Sequence, residues 1–288
     1  MFKQVTIMGP GLLGASLVMA IREKSLAESI VIWARSEQTA KKARSKLLAD
    51  EVEIDPVKSV MGSDMVIICT PVETMSWILS TIVNHLEEGC LVTDVGSVKG
   101  IICENAKDLF KFPGISFIGS HPMAGSEKSG MEHAHADLFS NRPAILTPEP
   151  NCNQKHLEKL IEFWEILEMT VHQLSSAEHD KVIASLSHLP HLVSSVLSFT
   201  ISDQAKLAFQ LSGQGLRDTI RISGGDPSLW TGILSENKAQ VLSGLKDFED
   251  SIRMIKNFIS EDDREGLEEF LKKGALLQKS LSWFYGNC

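Results

Sequence analysis

A six-residue run near the N-terminus constrains this chain more than any other feature. Gly9-Pro10-Gly11-Leu12-Leu13-Gly14 follows directly on an apolar segment, residues 4–8, that reads as a buried strand. It runs on into Leu13, Leu17, Val18 and Ile21, which recur at helical spacing. A GxGxxG pattern between a strand and a helix is a cradle for a pyrophosphate. Gly9 permits the tight turn, Gly11 lets the backbone approach the ligand, and Gly14 lets helix and strand pack closely. The helix start, Leu12 and Leu13, presents free N–H groups and a partial positive charge. The bland alternative is an ordinary glycine-rich turn; the position of the run favours the dinucleotide.

Further strand-like segments follow at 29–34, 64–69, 91–94 and 115–119, with weaker ones at 144–146 and 171–174. Polar or amphipathic helical stretches fall at about 37–48 and about 154–168. Short β-rich runs alternating with helices predict an α/β domain with a parallel, doubly wound sheet. Thr70 and Pro71 stop the 64–69 segment at the edge where a cofactor is expected, and join the cofactor-binding set. After Ser175 the strand signals vanish. Leu242, Leu245, Phe248, Ile252, Ile255 and Phe258, spaced by threes and fours, mark an all-helical region. The expected domains are therefore 1–175 and 176–288. The apolar helical surface of the second suits either a homodimer or a larger internal core.

Composition narrows the classes. The chain has 288 residues, is 43% hydrophobic and carries a formal charge of −9. An acidic chain repels phosphodiester backbones, which argues against nucleic acid as a partner. No apolar stretch is expected to reach the ~20 residues of a membrane span. The N-terminus has no signal-peptide pattern, so a cytoplasmic location is expected. Cys69, Cys90, Cys103, Cys152 and Cys288 are widely spaced with no CxxC pair, which suits reduced thiols and no metal site. Cys69, inside an apolar run, reads as an inert core thiol.

The second strand ends in Trp33-Ala34-Arg35-Ser36, with no acidic residue to bind a ribose 2′-hydroxyl. A guanidinium and a hydroxyl suit a 2′-phosphate, so NADP is favoured over NAD; Arg35 as a plain surface charge is the alternative. His121 follows the 115–119 strand, where ligands of open sheets bind. Its imidazole suits the proton of a hydroxyl losing hydride, and equally suits a hydrogen-bonded turn.

The motif text goes further. TDVGSVK (93–99), GSHPMAGSEKSG (119–130), DLF and RPAILTP (137–148), EHD and SHLPH (178–191), and RDTIRISGGDPSLW (217–230) resemble the prephenate/arogenate dehydrogenase family. The resemblance implies a Rossmann domain followed by a helical dimerisation domain. It also implies oxidative decarboxylation of prephenate or arogenate, with hydride transfer to NAD(P), on the way to tyrosine. It assigns hydrogen bonding to the ring hydroxyl to His121, supported by Ser97. It assigns the ring carboxylate to Arg221, the pocket mouth to Ser126 and Glu127, and the substrate side chain to Ser187 and His191. His179 falls near the domain and dimer contact, and Asp218 holds its neighbours. Arg217 and Arg221 lie four apart, so on a helix they share one face and can meet a dianion together. Ser187 and His191 are likewise four apart, His188 points about 100° away, and Pro190 is expected to kink the helix. The family implies no metal. Two readings compete: another two-domain hydroxyacid or imino-acid oxidoreductase, and a non-catalytic NADP-binding regulatory protein.

Overall fold

A computed structural model describes residues 1–46, 48–110, 114–125, 128–203 and 209–286. The chain divides into two compact units, Met1–Lys238 and Ala239–Cys288. The first is built on six parallel strands: β1 (Phe2–Met8), β2 (Ala27–Trp33), β3 (Glu51–Glu53), β4 (Met65–Ile68), β5 (Leu91–Asp94) and β6 (Ser116–Phe117). Their order is β3-β2-β1-β4-β5-β6, the doubly wound Rossmann arrangement, and it reverses between β1 and β4. Met8 pairs with both Trp33 and Ile68, and Ile68 pairs with Asp94. The strand ends are therefore level, and the loops at Gly9, Cys69 and Val95 leave from one edge.

The strands are apolar without alternation because helices cover both faces. Ile7, Ile32 and Ile67 belong to one cluster with α1 (Leu12–Glu23) and the later helix Gln154–Ile166. Met8, Val66, Ile68 and Val92 belong to the other cluster. There they meet Val72, Met75 and Ile78 of Val72–Ile82 and Ile102 of Gly100–Leu109. With α2 (Glu37–Ser45) and α3 (Pro56–Val60) between, these last three helices are α4 (Val72–Ile82), α5 (Gly100–Leu109) and α6 (Gln154–Ile166).

The strand expected at 115–119 is divided. β6 closes the first sheet, and β7 (Gly119–Pro122) opens a second one, pairing antiparallel with β8 (Pro143–Thr147). β9 (Thr170–Gln173) adds to β8 in parallel. A Cβ on Gly119 would stand 2.5 Å from Thr147 Oγ1, so only glycine passes where the chain changes sheets. His121 consequently lies on a strand, not in the loop beyond one.

Helices take over at Ser175, whose hydroxyl accepts from the Glu178 N–H while the Glu178 carboxylate accepts from the Ser175 N–H. This reciprocal cap starts α7 (Ser176–Ile183). A π-helical turn, Ala184–His188, leads into α8 (Leu189–Thr200). Pro190 sits in the first turn of α8, and the wider turn before it accommodates the missing N–H. The unit continues through α9 (Gln214–Ile220), a 3₁₀ turn at Arg221–Gly224 and α10 (Pro227–Glu236). The change of class at 175 and the edge of the compact unit at Lys238 are thus different places.

The stretch Ser176–Thr200 corrects one expectation. It is 25 residues long and contains an 18-residue window of mean hydropathy 1.4, long and apolar enough by length and composition to cross a bilayer. Its charged residues cluster in the first two turns and leave an apolar remainder. Its His179, Asp180 and His188 nevertheless bond to other elements of the same unit. The second unit consists of residues 239–260 of α11 (Lys238–Ser260) together with α12 (Arg264–Gly286). Ile252, Ile259, Leu271, Leu276 and Leu277 are exposed on them.

Candidate active site

The glycine loop has the geometry its residues suggest. Gly9 has φ +112°, which only glycine adopts freely. A Cβ on Gly14 would lie 2.0 Å from the Gly9 carbonyl oxygen, whereas one on Gly11 would meet nothing within 4 Å. Gly11 thus faces open space, and no side chain caps the N–H groups of α1 there. A cleft of ≈ 470 Å³ opens beside it, lined among others by Gly9, Gly11, Arg35, Thr70 and Pro71. Uncapped donors beside an open glycine fit a dinucleotide pyrophosphate.

Leu12, Leu13, Gly14 and Ser36 do not line this cleft. The two leucines pack on the core, and Ser36 caps α2 by accepting from the Thr39 N–H at 3.2 Å. Cys69 lines the cleft as well, so it borders the ligand space, and burial pushes its thiol well up and keeps it protonated. Thr39 and Trp77, which the sequence did not single out, also form its walls. Only their placement one helix in from the strand ends could have suggested them. Lys42 reaches the cleft too, and its ammonium is paired with Glu132 at 2.8 Å.

Around the corner of the sheet lies a buried polar cluster. The His121 imidazole is 7% exposed, and its Nδ1 is 2.9 Å from His179 Nε2. His179 Nδ1 is in turn 2.8 Å from the Asp180 carboxylate. That carboxylate also accepts the backbone N–H groups of Lys99 at 2.7 Å and Gly100 at 2.8 Å. Lys99 and Asp94, both fully buried, form an ion pair, and Asp94 also accepts from the Gly96 and Ser120 N–H groups. Burial, aided by the neighbouring His179 and Lys99, holds His121 well below the ordinary histidine range. Burial lowers His179 too, against the pull of Asp180. For Asp180, burial pushes upward, but the bonds from His179, Lys99 and Gly100 outweigh it and hold the carboxyl low.

The helices extend this cluster. Asn237 donates to the Asp180 carbonyl at 2.9 Å and lies 3.2 Å from His188 Nδ1. Trp230 meets the His188 ring edge-on and stacks on His191 at 3.6 Å, nearly parallel. His188 is therefore not turned away from its neighbours: three residues before His191, it shares the same tryptophan. The segment carrying Arg217 and Arg221 is held on α8 by Ser194, which donates to the Thr219 carbonyl at 2.8 Å, and by the Ser198–Ser223 hydroxyl pair at 2.9 Å.

The structure brings His121 together with His179 and Asp180, and His191 together with Trp230 and His188. Ser97 is half-buried in the loop between β5 and α5, and Ser187 is half-buried in the π turn. Arg217 and Arg221 are exposed, Arg221 standing where α9 tightens into the 3₁₀ turn. Ser126 and Glu127 lie outside the described residues. Among the described residues no group of His, Cys, Asp or Glu is arranged to hold a metal, and Cys69, Cys90, Cys103 and Cys152 are free thiols.

A Rossmann sheet with an open glycine cradle and, in the same compact unit, a buried histidine cluster defines a nicotinamide-dependent oxidoreductase. Residues 17–173 match the prephenate dehydrogenase nucleotide-binding domain, and residues 175–273 match the prephenate dehydrogenase dimerization domain. The chain belongs to the prephenate dehydrogenase family. It is 32% identical to the prephenate dehydrogenase of Lactococcus lactis, covering 97% of this chain and 77% of that protein. It is 29% identical to the cyclohexadienyl dehydrogenase of Zymomonas mobilis, covering 94% of both. Among solved structures, Aquifex aeolicus prephenate dehydrogenase in complex with hydroxyphenyl propionate and NAD+ superposes with a TM-score of 0.89 at 30% identity. That match covers 97% of this chain and 98% of the other.

Proposed function

We propose that this chain oxidises and decarboxylates prephenate, or its amino analogue arogenate, with NADP favoured over NAD as hydride acceptor, in the route to tyrosine. The single observation that carries the reading is the buried His121 imidazole, its Nδ1 fixed 2.9 Å from His179, in the compact unit that also holds the glycine cradle of a family member. The bound nicotinamide supplies the acceptor for hydride. The chain's own residues then have four tasks.

His121 accepts a hydrogen bond from the ring hydroxyl and draws its proton as hydride departs from the same carbon. The ring carboxylate leaves as carbon dioxide, and its electron pair enters the ring, so the hydroxyl regains its proton as the ring becomes aromatic. Ser97 supports that hydroxyl. Arg221 and Arg217 hold the ring carboxylate until it departs. Ser187 and His191 meet the side chain, and Ser126 and Glu127 form the mouth. Orientation of hydride donor and acceptor is the main contribution.

Arg35 at the cleft supports NADP, since a guanidinium pairs a 2′-phosphate and no carboxylate stands in its place. The exposed apolar residues on α11 and α12 support a homodimer, and the free thiols support a cytoplasmic setting. The substrate domain is taken as 176–288 and the dinucleotide domain as 1–175. One steady-state matrix, prephenate and arogenate each with NADP and NAD, run on the intact protein and on His121→Asn, tests the reading. Turnover is expected with at least one substrate, higher with NADP, and lost in His121→Asn with dinucleotide affinity retained. Undiminished turnover by that variant rejects the assignment.

A further inference from the structure

His179 and Asp180, next in line from His121 in the buried cluster, have no assigned part in the reaction. Resting on the reading of His121 as the proton acceptor, we propose that Asp180 and His179 are positioning residues that fix the tautomer of His121, so that its Nε2 carries a lone pair and faces the substrate hydroxyl.

The argument is one of donors and acceptors. The Asp180 carboxylate accepts two backbone N–H groups, from Lys99 and Gly100 at the N-terminus of α5, at 2.7 and 2.8 Å. A Cβ on Gly100 would lie 2.7 Å from Asp180 Oδ2, so the approach of the carboxylate depends on glycine there. Two donors on a carboxylate favour its ionised form, which only accepts. His179 Nδ1, 2.8 Å away, must then carry the hydrogen, because two bare lone pairs at that distance repel. A neutral His179 with hydrogen on Nδ1 has a bare Nε2. His121 Nδ1, 2.9 Å from that nitrogen, must therefore carry its own hydrogen, which leaves His121 Nε2 bare.

The relay also supplies the counter-charge. When His121 draws the hydroxyl proton, the positive charge it gains is bonded to His179 and, one ring further on, faces the Asp180 carboxylate. No proton needs to leave the cluster, and the one drawn returns as the ring aromatises. The other ionisable groups facing the pair are Lys99, whose charge is neutralised by Asp94, and His188 from the π turn. Burial lowers His188 to about 4, so near neutral pH it is uncharged and adds no competing cation. The geometry couples the halves of the unit as well: the carboxylate belongs to α7, its two N–H donors belong to the start of α5, and the imidazole it governs sits on β7.

The test uses the full-length protein with prephenate and the preferred dinucleotide. Asp180→Asn removes the charge of the acceptor and sets an amide donor against the Gly100 N–H or the His179 ring, so hydrogen is no longer fixed on His179 Nδ1 nor, through it, on His121 Nδ1. A carboxylate-to-amide change of this kind in another catalytic histidine system lowers kcat by about 10⁴. We expect at least a hundredfold loss in kcat, little change in KM or dinucleotide affinity, and a displaced acid limb in the pH profile of kcat/KM. His179→Gln, whose side-chain oxygen can accept from His121 Nδ1, should retain more activity than His179→Phe. If Asp180→Asn and His179→Phe keep the wild-type kcat and pH limb while His121→Asn is inactive, the relay is rejected and the role of His121 stands. If His121→Asn is active, the reading beneath both has failed. Should the Asp180 variant not fold, long-range ¹H–¹⁵N spectra of the wild-type protein decide: hydrogen on His121 Nε2 overturns the proposal, and hydrogen on Nδ1 supports it.

Discussion

Two glycines in one loop should separate folding from cofactor binding. A Cβ at Gly14 would stand 2.0 Å from the Gly9 carbonyl oxygen and 3.1 Å from Ile7 Cγ2. Non-bonded heavy atoms prefer about 3.5 Å or more, so helix α1 would have to lift off the loop. Overpacking a filled core costs about 1–3 kcal/mol, and the upper end applies here because the obstacle is backbone. For a domain of this size that corresponds to roughly 6–12 °C in Tm. Gly11 is the opposite case. Its φ of −73° suits any residue, and an added methyl would meet no protein atom within 4 Å. Gly11→Ala should leave Tm unchanged or raise it slightly, because alanine narrows the unfolded ensemble by about 0.4–1 kcal/mol. Its methyl instead occupies the approach of the pyrophosphate, and a tenfold weaker dinucleotide Kd is about 1.4 kcal/mol. Thermal unfolding without ligand and fluorescence titration with NADPH measure the two effects separately. Wild-type affinity in Gly11→Ala, or wild-type Tm in Gly14→Ala, would refute the reasoning about this loop.

Two further outcomes concern the buried charges. Lys99→Met leaves the Asp94 carboxylate without its cation at a fully buried site and should cost about 3–5 kcal/mol; urea unfolding measures it, and adding Asp94→Asn should recover part of the loss. His121, His179 and His188 are all held below the ordinary histidine range, so below pH 6.5 the unfolded chain binds more protons than the folded one. Stability is therefore fully present above pH 6.5 and declines as pH falls. His188 alone, lowered from 6.5 to about 4, contributes about 3 kcal/mol across that window. A urea midpoint that stays level from pH 7.5 to 5 would contradict this.

The first sheet was legible because its signals are local. Residues 65–69 are an unbroken apolar run, and the glycine loop sits between a strand and a helix. β3 was not legible: three residues with a single buried side chain, Val52, make no pattern. The division of 115–122 between two sheets was hidden for another reason. Nothing in Ile115 to Pro122 marks a change of partner, and the need for Gly119 becomes visible only against Thr147. The motif around His121 drew attention to that imidazole, but the ring bonded to it belongs to His179, 58 positions further on. His179 therefore read as a contact between domains, although it touches His121 directly. The stacking of Trp230 on His191 and the meeting of His188 with the same ring both depend on tertiary placement.

The passage of one strand from sheet to sheet has a mechanical consequence. Beyond Ile118, whose N–H still bonds to the Val92 carbonyl, no backbone ladder among the described residues joins His121 to the parallel sheet. The join is made by side chains of β5: Thr93 bonds to the Ile118 carbonyl and the Ser120 hydroxyl, and Asp94 to the Ser120 N–H. Two short side chains thus take part in holding β7 against β5. A sheet ladder can be altered only by residues at a time, but a side chain can be altered by a single methyl or oxygen. In this fold the alignment for hydride transfer can be adjusted in steps far finer than a shift of strand register.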